Sequence, residues 1–493
     1  MLPLGNKAVI SHIIDSYPDN YQFLVGLGHK GDYLKQYLEI THKNKNIKFI
    51  DIDPYEGPGS GLGFTLSKMC ENIDQPFYFH TNDAIFLNSN PEFDSDTMVL
   101  SNENFDPLNY RSVTIDVSTN LVLKVNDKNI KLIDNTFNYT GVAFIKNYSD
   151  FKDFLGNMST QIGETDYFMN LDPTSINYYI SDSWKDIGSL DGLRYLNKEL
   201  ISINNLPKSN EAIYFYDDRV IKFSGDKTFI EGRKIRNKKL RGLSPKIIES
   251  SENFYSYKFV EGEILSNNLA PQNQLINLLD WSKKNLWKEI NLDESEKLTF
   301  KNNCRIFYYE KTIERINYFH EIHGYLDEDH IINGKQMLRL ETILKSLDWE
   351  SLFDGIPCLY HGDFHFENII STDEGFSLID WRQSFGNLYD YGDMYYDLAK
   401  LLHGFWINHK IINDNHFEIK KEDKLVNFDI HKRKSLVDCE IILQKYVEEN
   451  NLNWKKVKIL ASLILLNISP LHHYPYSELL YFYGKERLSE LLK

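Results

Sequence analysis

The sequence predicts two unlike domains in series: an α/β domain with a mainly parallel sheet over residues 1–205, and a two-lobed α+β domain over residues 206–493. Three observations point that way. The chain is 493 residues long, beyond the size at which one hydrophobic core usually serves. Its first part, to about residue 200, alternates short apolar runs with helical spacing, the pattern of strands joined by crossover helices. Beyond it the texture changes to hairpins and then, after Pro271, to mostly helical sequence.

The elements follow in order. Residues 21–28 predict a buried strand that runs into a glycine turn. Residues 32–40 space Tyr33, Leu34, Tyr37 and Leu38 as a helix face. Residues 46–52 and 76–80 predict further strands. A cluster of turn formers, Asn204, Asn205, Pro207, Lys208, Ser209 and Asn210, marks a break at 202–210. Residues 212–223 predict a hairpin with Asp217 and Asp218 at its turn, and residues 255–260 another strand. These form a small lobe at about 206–265, and the helical remainder, about 266–493, forms a large lobe.

Composition bounds the function. Hydrophobic residues make up 42% and aromatics 14%, ample for buried cores. A net charge of -16 argues against nonspecific binding to nucleic acid or to an anionic membrane. It leaves room for a locally basic pocket that takes a phosphorylated substrate. The four cysteines are scattered and form no C-x-x-C pair, which predicts reduced thiols and a cytoplasmic protein. The start of the chain lacks the basic and apolar regions of a signal peptide. The longest apolar run, residues 459–466, is far short of the roughly 20 residues that span a bilayer, and predicts a buried helix.

Chemistry concentrates at His361-Gly362-Asp363-Phe364-His365-Phe366-Glu367-Asn368, followed by Ile379-Asp380-Trp381. The pattern H-x-D-x-x-x-x-N with a later Asp is the spacing of a phosphoryl-transfer loop. Asp363 would orient an acceptor hydroxyl and take its proton. Asn368 and Asp380 would hold Mg²⁺ across the phosphates of ATP, since hard cations prefer oxygen. His361 is expected to be a hydrogen-bonder of the loop and not a base. Upstream, Lys222 lies in an apolar strand and needs a partner there; ATP phosphates and the carboxylate of Glu231 would serve.

These motifs resemble those of the aminoglycoside phosphotransferase and choline kinase superfamily, from about residue 210 to the C-terminus. The stretch Tyr391-Gly392-Asp393-Met394-Tyr395-Tyr396-Asp397 is similar to the segment that follows the family's metal-binding Asp. Asp393 and Asp397 are expected to brace the loop. The resemblance implies a bilobal, protein-kinase-like fold, ATP and Mg²⁺ as cofactors, and a small alcohol or sugar as acceptor.

The first domain resembles the sugar-phosphate nucleotidyltransferases, with a GT-A/Rossmann-like fold. Residues 2–14 are similar to the family's Leu-Pro-Leu-x-x-Lys stretch entering its first long helix. Gly59, Ser60 and Gly61 open a helix after a strand, where backbone N–H groups can meet a second NTP. Asp83 and Asp186, the latter in Trp184-Lys185-Asp186-Ile187-Gly188-Ser189, match the family's metal-binding carboxylates. Gly141 lies in a strand similar to its sugar-site strand. The family's glycine-rich signature loop would lie before Met1. The expectation is either a chain that starts late or a domain without catalysis, with a central sheet position left empty.

Together the two domains suggest phosphorylation of a sugar or amino alcohol, then its activation as an NDP or CDP derivative for cell-surface polysaccharide assembly. A choline or ethanolamine kinase with a cytidylyltransferase-like partner, and a scaffold of decayed enzymes, are the other readings.

Overall fold

The computed structural model describes every residue except 87–90, 104–108, 129–133, 157–162, 201–209 and 493. The expected break at 202–210 thus lies outside the described residues, apart from Asn210. The chain divides into two compact units, Met1–Gly225 with Glu249–Ser256, and Asp226–Ile248 with Tyr257–Lys493.

In the first unit, strands Gln22–Leu27 and Asn46–Asp51 pair in parallel, with helix Gly31–Thr41 as the crossover between them. The larger sheet departs from the mainly parallel expectation. Its ten-residue strand Thr136–Ile145 pairs antiparallel with Phe77–His80, Thr97–Ser101 and Ser112–Asp116. Ser112–Asp116 pairs antiparallel with Leu121–Asn126, and among the described residues only Asn177–Ser181 joins in parallel, on Thr97–Ser101. The sheet is therefore mixed and mostly antiparallel. Among the described residues no helix separates the strands between Phe77 and Ile145. Without crossover helices, neighbouring strands joined by short links pair antiparallel.

Gly141 sits where the register of the long strand shifts, at φ +82°. A Cβ there would lie 2.5 Å from Thr81 Oγ1, so glycine is required.

The hairpin Glu211–Tyr216 and Arg219–Ser224 turns at Asp217, which has φ 52°. Its Tyr214, Tyr216 and Ile221 share one core with Ile14, Tyr37, Leu38 and Phe254. Tyr37 is the hub: its ring meets Tyr214 edge-on at 5.0 Å, and its hydroxyl is 2.8 Å from Ser11 Oγ. That packing places the hairpin, assigned by sequence to the small lobe, within the first unit.

The second unit is mostly helical. Helices Met394–Trp406, Trp454–Ile468 and Tyr476–Leu491 are buried along most of their length. The apolar run 459–466 lies inside Trp454–Ile468, as expected, and among the described residues no helix is long and apolar enough to cross a membrane. A small antiparallel sheet of Glu263–Ile264, Ile369–Thr372 and Gly375–Leu378 follows the candidate loop. The four cysteines are buried and unpaired.

Tyr37→Ala is expected to lower the stability of the first unit by about 3–5 kcal/mol, as for other large buried aromatics. Urea unfolding measures this, and limited proteolysis should then cut within the 211–224 hairpin.

Candidate active site

The 361–368 motif forms a loop between strands Pro357–Cys358 and Ile369–Thr372. Gly362 turns at φ +86°, and a Cβ there would lie 2.5 Å from Arg382 Cβ, so no other residue fits. The loop hangs on Asp397. The N–H groups of His361 and Gly362 donate to its carboxylate at 2.8 and 2.7 Å, and Trp287 Nε1 donates at 3.1 Å. Burial pushes the Asp397 carboxyl up to about 6, against these three donors, which favour the anion.

Asp393 braces differently from expectation. It caps helix Met394–Trp406 through Tyr395 N at 3.1 Å, and it accepts from Ile356 N at 2.9 Å and Tyr308 Oη at 2.7 Å. It anchors the segments around the loop and not the loop itself. His361 is fully buried, its Nε2 is 2.8 Å from Ile379 O, and its Nδ1 accepts from Asp363 N at 3.2 Å. Burial pushes its pKa down to about 3, so it is a neutral hydrogen-bonder.

Asp363 lies at the centre. Lys400 Nζ is 2.6 Å from its Oδ1, and His365 Nε2 is 3.5 Å from its Oδ2. Asn368 Nδ2 donates to Asp363 O at 3.0 Å and Oδ2 at 3.1 Å. Burial would raise the Asp363 pKa, but the cationic Lys400 and His365 hold it well below the usual carboxylate range. Burial likewise opposes charge on His365, yet Asp363 and Glu367, the latter 2.7 Å from Nδ1, raise it to about 9. Asp380 follows strand Gly375–Leu378 at φ 57°, its side chain about a third exposed. The Ile379 N–H donates to Asn368 O at 2.9 Å, which fastens the Asp380 turn beside the loop. The structure thus brings Asp363, Asn368 and Asp380 into one bonded neighbourhood.

Lys222 is 8% exposed in the first unit, in the strand expected for it. Glu231, on helix Lys227–Lys239, is more than half exposed, and its carboxylate takes Lys234 Nζ at 2.7 Å.

In the first unit, Asp186 ends strand Trp184–Asp186, where it pairs with Ala84, the residue after Asp83. A Cβ on Gly188 would lie 3.2 Å from a carboxylate oxygen of each, so Asp83 and Asp186 converge. Asp186 accepts from Tyr110 Oη at 2.6 Å and Gly188 N at 3.0 Å. Gly59, Ser60 and Gly61 form an exposed turn, with Ser60 Oγ donating to Gly57 O at 2.7 Å, just before helix Leu62–Cys70. Among the described residues no group of three or more His, Cys, Asp or Glu is placed to hold a metal.

Residues 313–414, which include Asp363, Asn368, Asp380 and Lys400, match the phosphotransferase enzyme family (APH). The match lies within the C-terminal region and covers the candidate loop and helix Met394–Trp406, which holds it. No curated protein matches the chain significantly. Among solved structures, a putative glucose-1-phosphate thymidylyltransferase from Bacillus anthracis is 14% identical over 42% of this chain and 87% of its own, with a TM-score of 0.32. The gentamicin complex of APH(2")-IIa is 15% identical over 62% of this chain and 98% of its own, TM-score 0.32. An ethanolamine kinase from Plasmodium vivax is 15% identical over 64% of this chain and 90% of its own, TM-score 0.32.

Two residues of the second unit that bear on the site are not singled out by the sequence motifs. Lys400 follows Asp393 and Asp397 at helical i, i+4, i+7 spacing, a signal that was available. Arg233 carries no such signal. It is 8% exposed, lies 4.7 Å over the Phe229 ring, and its Nη1 is 4.0 Å from Asp380 Oδ1.

Asp397→Ala would leave three donors unpaired at roughly 1–3 kcal/mol each, so a loss of several kcal/mol in thermal or urea unfolding is expected. A second expectation concerns pH. His365 has a folded pKa raised above its unfolded value near 6.5, so its stabilisation is full below about pH 6.5 and is lost as pH rises through about 9. The stability gap between wild type and His365→Gln, up to roughly 3 kcal/mol, should close across that window.

Proposed function

We propose that the phosphotransferase-family region moves the γ-phosphoryl group of ATP to a hydroxyl of a small sugar or alcohol. The observation that carries this reading is Asp363, charged and held between Lys400 and Asn368 at a bonded loop. Its carboxylate accepts the acceptor's O–H and aligns the oxygen for attack. The P–O bond to ADP breaks as the new O–P bond forms, and the hydroxyl proton leaves through Asp363 to solvent. A carboxylate held well below its usual pKa is a weak base. The loose transition state of this transfer asks more for alignment than for basicity.

The donor set suits Mg²⁺. Asn368 spends its Nδ2 on Asp363, which leaves its oxygen for a cation, and Asp380 offers a carboxylate beside it. Mg²⁺ is commonly held by one or two such groups with waters and phosphates. When bound it neutralises phosphate charge. Arg233, beside Asp380, adds a fixed positive charge to that end of the site.

For the first unit we propose a nucleotidyltransferase-like role. Asp83 and Asp186 converge as oxygen donors for a second Mg²⁺, and the turn at Gly59, Ser60 and Gly61 offers N–H groups to a nucleotide. The pair of activities would phosphorylate an alcohol or sugar and then activate it for surface polysaccharide assembly.

Asp363→Ala is expected to lower kcat by roughly 10²–10⁴-fold, with ATP affinity retained. ATP consumption and calorimetric ATP binding measure both. Unchanged turnover removes Asp363 from the reaction.

A further inference from the structure

We propose that the acceptor is an anion: a polyol of monosaccharide size whose carboxylate or phosphate monoester is recognised by Lys311, Arg315 and Arg382. This rests on the kinase reading above and names the substrate class for that site. A cavity of about 180 Å³ adjoins the Asp363–Lys400 pair, since Lys400 lines it. Its basic wall is Lys311 and Arg315 from helix Lys311–His323, with Arg382 and Lys400. Among the described residues no Asp or Glu lines it. Lys400 is taken by Asp363, whereas among the described residues Lys311, Arg315 and Arg382 make no ion pair.

Lys311 and Arg382 both lie over the Phe307 ring, at 4.6 and 4.7 Å. That ring belongs to a widened π-helical turn, Ile306–Glu310, of the kind often found at functional sites. One ring offsets only part of such crowding. Burial, then Arg382, Arg315 and Lys400, push the Lys311 ammonium well below its usual pKa. A fold with 71 acidic residues against 55 basic ones places, among the described residues, no acidic one in the lining of this cavity, which is costly unless an anion occupies it.

Two further groups await a ligand. Arg315 Nε and Asn467 Oδ1 are buried without a hydrogen-bond partner among the described residues. Asn467 spends its Nδ2 on Thr312 Oγ1 at 2.7 Å and Leu463 O at 2.8 Å, so its oxygen is left to accept from a hydroxyl. Leu460, Leu463 and Ile464 also line the cavity and suit the C–H face of a ring. An apolar cavity of about 150 Å³ takes benzene, so about 180 Å³ fits one ring better than a chain of rings. Choline, ethanolamine or an amino sugar would instead bring a cation to a cationic wall.

The test uses the full chain with Mg²⁺ and glucuronate, glucose 1-phosphate, glucose, glucosamine and choline as probes. ATP consumption and calorimetric binding are read for wild type, Arg315→Gln and Lys311→Met. Glucuronate or glucose 1-phosphate should bind best, and which of the two wins tells carboxylate from phosphate. Either variant should weaken that binding at least about tenfold, with ATP binding unchanged. Without ligand, Lys311→Met should melt no lower than wild type, because it removes a crowded charge. Anion binding that depends on Arg315, with no ATP consumed on any probe, would uphold the pocket and count against the kinase reading. Turnover of glucose, glucosamine or choline alone, or anion binding that is absent or as tight in both variants as in the wild type, would overturn the proposal.

Discussion

The contact between Lys400 Nζ and Asp363 Oδ1 is the constraint on which the phosphotransferase region turns. An ammonium and a carboxylate taken from water this way are stable only with good geometry and further hydrogen bonds. Asn368 and His365 supply those on the carboxylate side. Each charge then holds the other in its ionised form: Asp363 well below, and Lys400 above, its usual pKa. The pair also joins the two halves of the chemistry, because Asp363 belongs to the loop and Lys400 to the wall of the basic cavity.

What keeps the pair in register is one helix. Asp397 and Lys400, three residues apart on Met394–Trp406, grip the loop through its backbone N–H groups and through the Asp363 side chain respectively. Arg236, fully buried, closes the loop's other flank by donating to the carbonyls of Tyr360, Arg382 and Tyr389. The fixed fork of guanidinium donors adds positional specificity as well as energy. The cavity needs such rigidity, since its cations repel one another and would spread if their backbone allowed it.

Local signals were legible where residues act through short spacing. The 361–368 loop, the 212–223 hairpin and the apolar helix around residue 460 each follow from periodicity or a turn pair, and each is present. A mainly parallel sheet is what the alternation of strands and helices before residue 70 predicts, but among the described residues the run from Phe77 to Ile145 holds no helix and pairs antiparallel. Arg233 was not legible: Glu231 and Arg233 share a helix, and only packing decides which one is buried. The basic cavity was also hidden. Lys311, Arg315, Arg382 and Lys400 are scattered through a chain of net charge -16, and tertiary folding alone collects them.

A double-mutant cycle on Asp363→Asn and Lys400→Met, read by ATP turnover on a responsive acceptor, tests the account most directly. If the two side chains act as one unit, each single change should cost nearly as much as both together. Losses that multiply independently, with the double variant slower by the product of the two single effects, would contradict it.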